Sequence, residues 1–177
     1  MLTALLIVAN VLIFILQEFV FGRKFVALFS LNLLFFKEGF FWQPLSSMFL
    51  HGNFAHLALN MVVLFQFGRI LEALLGRVRF ALLYLVGGVL CSLLCALYLL
   101  FAFEIGWQKI SLVGASGAIC VLMGFYAFWE KSSTKGLLVA LLLMSFVPLF
   151  MGVNVAWYGH IFGFFCGYFW AFLRRKR

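Results

Sequence analysis

Apolar residues fill this chain in runs of about 16 to 25, separated by short polar clusters. The runs place helices near residues 2–19, 54–73, 78–103, 114–129, 136–151 and 155–173. Each is roughly the length a helix needs to cross a hydrocarbon core of about 30 Å. The pattern therefore predicts an all-α fold, a polytopic membrane protein built as a six-transmembrane-helix bundle. The segment 20–53 interrupts it with Arg23, Lys24, Lys37, Glu38, Gly39 and Pro44 among many Phe residues. Charged and aromatic residues mixed in this way mark structure at the headgroup level rather than a further span. The first run lacks a basic leading region and a small-residue cleavage site, so it reads as helix 1 and not as a signal peptide.

Composition agrees: 67% of the residues are hydrophobic and 10% charged, which excludes a water-soluble domain. No linker, low-complexity stretch or internal repeat divides the chain, so residues 1–177 are expected to form a single domain whose function lies inside the bundle. An even number of spans puts both termini on one side. The tail Arg174, Arg175, Lys176 and Arg177, with Arg69, Arg77, Arg79, Lys131 and Lys135, identifies that side as cytoplasmic. Only Arg23, Lys24, Lys37 and Lys109 fall on the other face, so the net charge of +8 reflects membrane orientation and gives no reason to expect nucleic acid as a partner. Cys91, Cys95, Cys120 and Cys166 all lie within spans without metal-type spacing and read as small packing residues.

Polar groups inside a membrane need a partner or a function. His51, His56 and His160 lie at or inside the outward ends of spans, and Asn60 follows His56 by four residues on the same helical face. Ser116 sits in Gly114-Ala115-Ser116-Gly117, where glycines allow close backbone approach. The span it opens is only about 24 Å long, so Ser116 lies below the outward surface, and the loop before it must dip into the protein. His160 is followed by Gly163 and Gly167 on its own face, and Gly117, Cys120 and Gly124 form a similar small-residue stripe, so the two helices can pack closely. Alone, Ser116 reads first as a packing serine, and His160 equally as a hydrogen-bonded interhelical histidine. Together they point to a catalytic pair.

The inventory narrows the chemistry. The acidic residues are Glu18, Glu38, Glu72, Glu104 and Glu130, with no aspartate, so neither a Ser-His-Asp triad nor an aspartyl dyad can form. No HExxH occurs, and His51 and His56, five apart, would diverge around a helix, so neither a metal nor any other cofactor is expected. A Ser116/His160 dyad remains, in which His160 takes the serine proton and returns it to the leaving amine. The imidazole tautomer must then be held by packing or by another hydrogen bond. Oxyanion donors are the Ser116 backbone N–H, His56 and Asn60, although Asn60 reads also as an interhelical hydrogen-bonding residue.

The His56-xxx-Asn60 pair, the GxSG around Ser116, and His160 followed by Gly163 and Gly167 make the chain resemble the rhomboid intramembrane serine proteases over essentially its whole length. Gly68-xxx-Glu72-xxx-Gly76 is similar to a further rhomboid pattern, with Glu72 read as structural and paired with a nearby arginine, or else as a solvated helix end. With six spans the chain looks most like compact bacterial rhomboids of the GlpG type. The resemblance implies an endopeptidase in a bacterial cytoplasmic (inner) membrane, surrounded by lipid, that cuts transmembrane protein substrates near the outer face. It also implies that 20–53 is a half-embedded first loop, and that helix 5 with the loop 152–159 forms a gate and cap. Two positions depart from the pattern: Gln43 follows Trp42 where the family commonly has arginine, and Cys120 stands where many relatives carry an aromatic that packs on the catalytic histidine. The first departure bears on loop anchoring and the second on the rigidity of His160, and neither removes a reacting group. Alternatives are a catalytically inactive rhomboid-like protein that binds membrane clients and, from another class, a small transporter.

Overall fold

The computed structural model describes residues 1–106, 111–150 and 155–175. Lys109, Met151, the 152–154 part of the loop expected to act as a cap, and Lys176 and Arg177 lie outside the described residues. Among the described residues the elements are helical, with one isolated bridge joining Leu31 and Leu112. Helix α1 (Leu2–Leu16) runs through a π-helical turn (Gln17–Phe21) into α2 (Gly22–Phe29). The short α3 (Leu34–Lys37) and α4 (Gln43–Ser46) follow. The long helices are α5 (Phe54–Leu75), α6 (Arg77–Glu104), α7 (Ser116–Trp129), α8 (Thr134–Phe150) and α9 (Trp157–Arg174). Leu2–Phe29, Phe54–Leu75 and Arg77–Glu104 are each long and apolar enough to cross a membrane, and α7 is a shorter apolar helix. The chain is thus an all-α polytopic membrane protein.

Helix ends differ from the hydrophobic pattern where the backbone dictates. Regular α-helix in α1 stops at Leu16 rather than at Phe19, because the ladder loosens into the π turn and then breaks at Gly22, whose φ of 65° suits glycine. Asn53 caps α5 by accepting the His56 N–H at 2.8 Å. α7 begins at Ser116, two residues later than the apolar run suggests, because Gly114 has a φ of 129° that no helix accommodates.

The segment between α1 and α5 folds on itself. Trp42 Nε1 and Gln43 Nε2 donate to the Leu28 carbonyl at 3.1 and 3.2 Å, Gln43 Oε1 accepts from Asn32 N at 3.2 Å, and Ser46 Oγ donates to the Phe29 carbonyl at 2.7 Å. Gln43 is fully buried, so the amide anchors this loop where the resemblance led us to expect arginine. No residue of α2 is buried, and Phe19, Phe21, Phe41 and Trp42 are exposed, as suits a headgroup environment.

α7 is the central helix, buried from Ala118 through Phe125 and packed on α5, α6, α8 and α9. Its tightest partner is α9. A methyl group added at Gly163 would collide with the Gly117 carbonyl oxygen, one at Gly167 with the Val121 carbonyl, and one at Gly124 with the Phe164 carbonyl. The helices meet backbone to backbone because no side chain intervenes. At the opposite end from Ser116, Glu72 accepts from Leu2 N, Thr3 N and Thr3 Oγ1 at 2.7, 2.8 and 2.7 Å, and so caps α1. Arg77 reaches it only at 4.0 Å, so the expected arginine is a peripheral partner and the start of α1 the principal one.

Candidate active site

The chain leading into α7 is strapped to the first loop. Leu31 and Leu112 exchange backbone hydrogen bonds at 3.0 and 2.8 Å, Ser111 Oγ donates to Ser30 Oγ at 2.6 Å, and Gly114 N donates to the Ser47 carbonyl at 2.9 Å. These bonds draw Gly114 down beside α5. The point where a Gly114 Cβ would stand lies 3.0 Å from His56 Nε2 and 3.6 Å from Ser116 Oγ. His56 and Ser116 are therefore neighbours across a glycine that has no room for a side chain. Ser116 itself is half-buried and is the first residue of α7, where backbone N–H groups lack partners within the helix.

His160 is buried in the first turn of α9, at 5% exposure. The α7–α9 contact sets its height: Gly163 lies on Gly117 and Cys120, and Gly167 lies on Val121 and Phe125 N. Both helices run in the same direction through this contact, so one turn earlier His160 is level with Ala115 and Ser116. Among the described residues the hydrogen bond of the His160 ring goes to Ser145 of α8, with Nδ1 3.0 Å from Ser145 Oγ, and not to Ser116.

His56 Nδ1 accepts a long hydrogen bond, 3.5 Å, from Gly52 N, which leaves the ring proton on Nε2, the nitrogen beside Gly114. Asn60, one turn further along α5, is 4% exposed, and among the described residues its Nδ2 has no hydrogen-bond partner. A buried amide donor without a partner is costly, and such exceptions concentrate where a ligand or water is to be bound.

His51 precedes α5 rather than lying on it. The turn through Gly52 and Asn53 brings its ring edge-on to His56, with centroids 5.2 Å apart, instead of letting the two diverge around a helix. Burial first, and the neighbouring His56 second, push the His51 imidazole down to about 4, so it faces His56 uncharged at neutral pH. Among the described residues no group of three or more His, Cys, Asp or Glu side chains is placed to hold a metal ion.

Two residues, Gln17 and Ser145, were missed in the sequence, and a third, Gln43, was read there only as a departure from the family pattern. Gln17, buried in the π turn, grips the His51 backbone through Nε2 to its carbonyl at 2.6 Å and Oε1 from its N–H at 3.2 Å. Gln43 anchors the first loop. Ser145 is the partner of His160. The available signal was the same for all three: a polar side chain in an apolar stretch needs a partner.

An apolar helical bundle with a half-buried serine at a helix start, a histidine beside it across Gly114, and a buried asparagine and a second histidine on the neighbouring helices defines a class of polytopic membrane protein with polar side chains within its bundle. The chain belongs to the rhomboid family, whose domain model matches residues 38–177. It is 37% identical over 140 residues to RHOMBOID-like protein 4 of Arabidopsis thaliana, covering 75% of this chain and 34% of that one. It is 30% identical over 143 residues to YdcA of Bacillus subtilis, covering 77% of this chain and 68% of that one. The Rhomboid protease GluP of the same bacterium is 28% identical over 141 residues, 76% of this chain and 26% of GluP. The chain thus spans about a third of the length of the Arabidopsis relative.

Proposed function

We propose that this chain is an intramembrane serine endopeptidase that cleaves transmembrane protein substrates, with Ser116 as nucleophile and His160 as general base. The observation that carries the reading is the convergence on one point beside Gly114 of Ser116 Oγ and the Nε2 of His56, with His160 level with them on the closely packed α9. Membership of a family that includes the Rhomboid protease GluP supports the reaction class.

In this mechanism Ser116 Oγ attacks the scissile carbonyl while its proton passes to His160 Nε2. The negative charge that develops on the substrate oxygen meets the Ser116 N–H, the His56 Nε2–H and the Asn60 amide. The lone donor on Asn60 and the proton placement on His56 both suit that role. Collapse of the tetrahedral intermediate expels the amine, which takes the proton from His160, and water then repeats the sequence on the acyl-enzyme. Gly114 and Gly117 let the substrate backbone approach Ser116, and Gly163 and Gly167 let α9 bring the base close.

The same reading treats residues 1–177 as one catalytic domain, because α1 is tied to α5 through Thr3 against Gly68 and through Glu72. It takes the bacterial cytoplasmic membrane from the likeness to compact bacterial rhomboids and puts both termini inside on the strength of the clustered basic residues, so that cleavage falls near the outer face. No metal or other cofactor enters the reaction.

The test is incubation of the purified protein in detergent with a transmembrane substrate, beside Ser116→Ala and His160→Ala. Cleavage is expected to disappear in both variants; cleavage that survives in Ser116→Ala would sink the mechanism.

A further inference from the structure

We propose that Ser145 is a positioning residue for His160, a hydroxyl on α8 that holds the imidazole in its Nδ1–H tautomer and so keeps Nε2 free to accept a proton. The catalytic consequence rests on the Ser116/His160 reading above, whereas the hold on the tautomer rests on the contacts of Ser145 itself.

Among the described side chains α8 buries one narrow stripe, Leu137, Leu141 and Ser145, four residues apart, while Leu138, Val139, Leu142 and Leu143 on its other faces are exposed. Ser145 alone in that stripe is polar, and it is fully buried. Its Oγ lies 2.6 Å from the Leu141 carbonyl oxygen and 3.0 Å from His160 Nδ1. A serine hydroxyl has one proton to give. The carbonyl can only accept, and at 2.6 Å it takes that proton, so Oγ turns its lone pairs to the ring. Nδ1 must then carry the hydrogen. In the reverse assignment Oγ–H would point at Nδ1 and two oxygens would face each other at 2.6 Å with no proton between them.

A neutral imidazole protonated on Nδ1 has its free lone pair on Nε2, which is the state a general base requires. Once Nε2 has taken a proton, the imidazolium still donates from Nδ1 to the same oxygen, so one bond serves both charge states. The chain has no aspartate to fill this role. Because the acceptor lies on α8 and the base on α9, the bond also links the two: when α8 moves away from α9, the ring loses the contact that fixes its tautomer.

The test uses the full chain in detergent micelles with 15N-labelled histidine, the His160 signals being assigned by their loss in His160→Ala. In the wild type, Nδ1 of His160 is expected in the protonated range and Nε2 in the unprotonated range. Ser145→Ala should shift the ring toward a mixture of tautomers and slow fluorophosphonate labelling of Ser116 about tenfold, the worth of one hydrogen bond. Ser145→Thr, which keeps the hydroxyl, should restore both. A purely structural role would lower the folded fraction without changing the tautomer of the folded protein. A wild-type ring protonated on Nε2, or Ser145→Ala with an unchanged tautomer and labelling rate, overturns the inference. The wild-type spectrum decides the point even if Ser145→Ala does not fold. Failure of the probe to label Ser116 in the wild type would count against the dyad, while the tautomer still decides what Ser145 does.

Discussion

Replacing Gly163 by alanine sets helix propensity against packing. In a helix interior alanine is favoured over glycine by about 1 kcal/mol, so propensity alone predicts a more stable protein. At Gly163 the added methyl meets the Gly117 carbonyl oxygen well inside contact distance and Cys120 Cβ at 3.0 Å. Neither neighbour can rotate away, since one is backbone and the other is fixed to it. α9 has to retreat from α7 by about 1 Å to restore ordinary contact, and the retreat loosens the Gly124 and Gly167 contacts along the same seam. Overpacking of this kind costs about 1–3 kcal/mol, more than propensity returns. On the mechanism proposed above, a shift of about 1 Å between His160 and Ser116 lowers the rate about a hundredfold. Gly136→Ala is the control: nothing lies within 4 Å of its added methyl on α8, so only the propensity gain remains. Thermal unfolding in detergent and the rate of Ser116 labelling should separate the two variants, Gly163→Ala being less stable and slower. If Gly163→Ala matched Gly136→Ala in both measurements, the backbone contact would not be what sets the α7–α9 distance.

Two further substitutions test contacts remote from Ser116 and His160. Glu72→Ala removes the acceptor of three hydrogen bonds from the start of α1, and should lower stability by about 2–4 kcal/mol, read from denaturant unfolding in micelles; an unchanged midpoint would show that α1 is held elsewhere. Gln43→Leu leaves the Asn32 N–H without its side-chain partner and the Leu28 carbonyl with the Trp42 indole as its remaining side-chain donor, and should cost about 1–3 kcal/mol and expose the first loop to limited proteolysis. An unaltered cleavage pattern would mean that Trp42 and Ser46 suffice to hold it.

Much of the fold was legible in the sequence, since burial in lipid forces each span to be a continuous apolar run and few polar residues remain to be explained. The ends of those spans were less so. Gly114 sets the start of α7 through its backbone conformation, and Gly22 closes the π turn that follows regular α1, where the apolar run continues to Phe19. Hydropathy carries no record of φ, so neither boundary was available from it.

What the sequence determined by itself is the inventory: Ser116, His160, His56 and Asn60 among apolar runs, glycine stripes on two helices, and no aspartate in the chain. These exclude a Ser-His-Asp triad and an aspartyl dyad, because chemistry is limited by the groups present, and they are the basis for the dyad proposed above. Only the tertiary structure decided what stands behind the histidine. Ser145 is 15 residues from His160 along the chain and lies on a different helix, and nothing in their spacing pairs them. Their contact depends on how α8 is rotated and seated against α9, and that follows from packing over the whole bundle. The same holds for His51, whose ring meets His56 because the chain turns at Gly52 and Asn53 instead of continuing the helix.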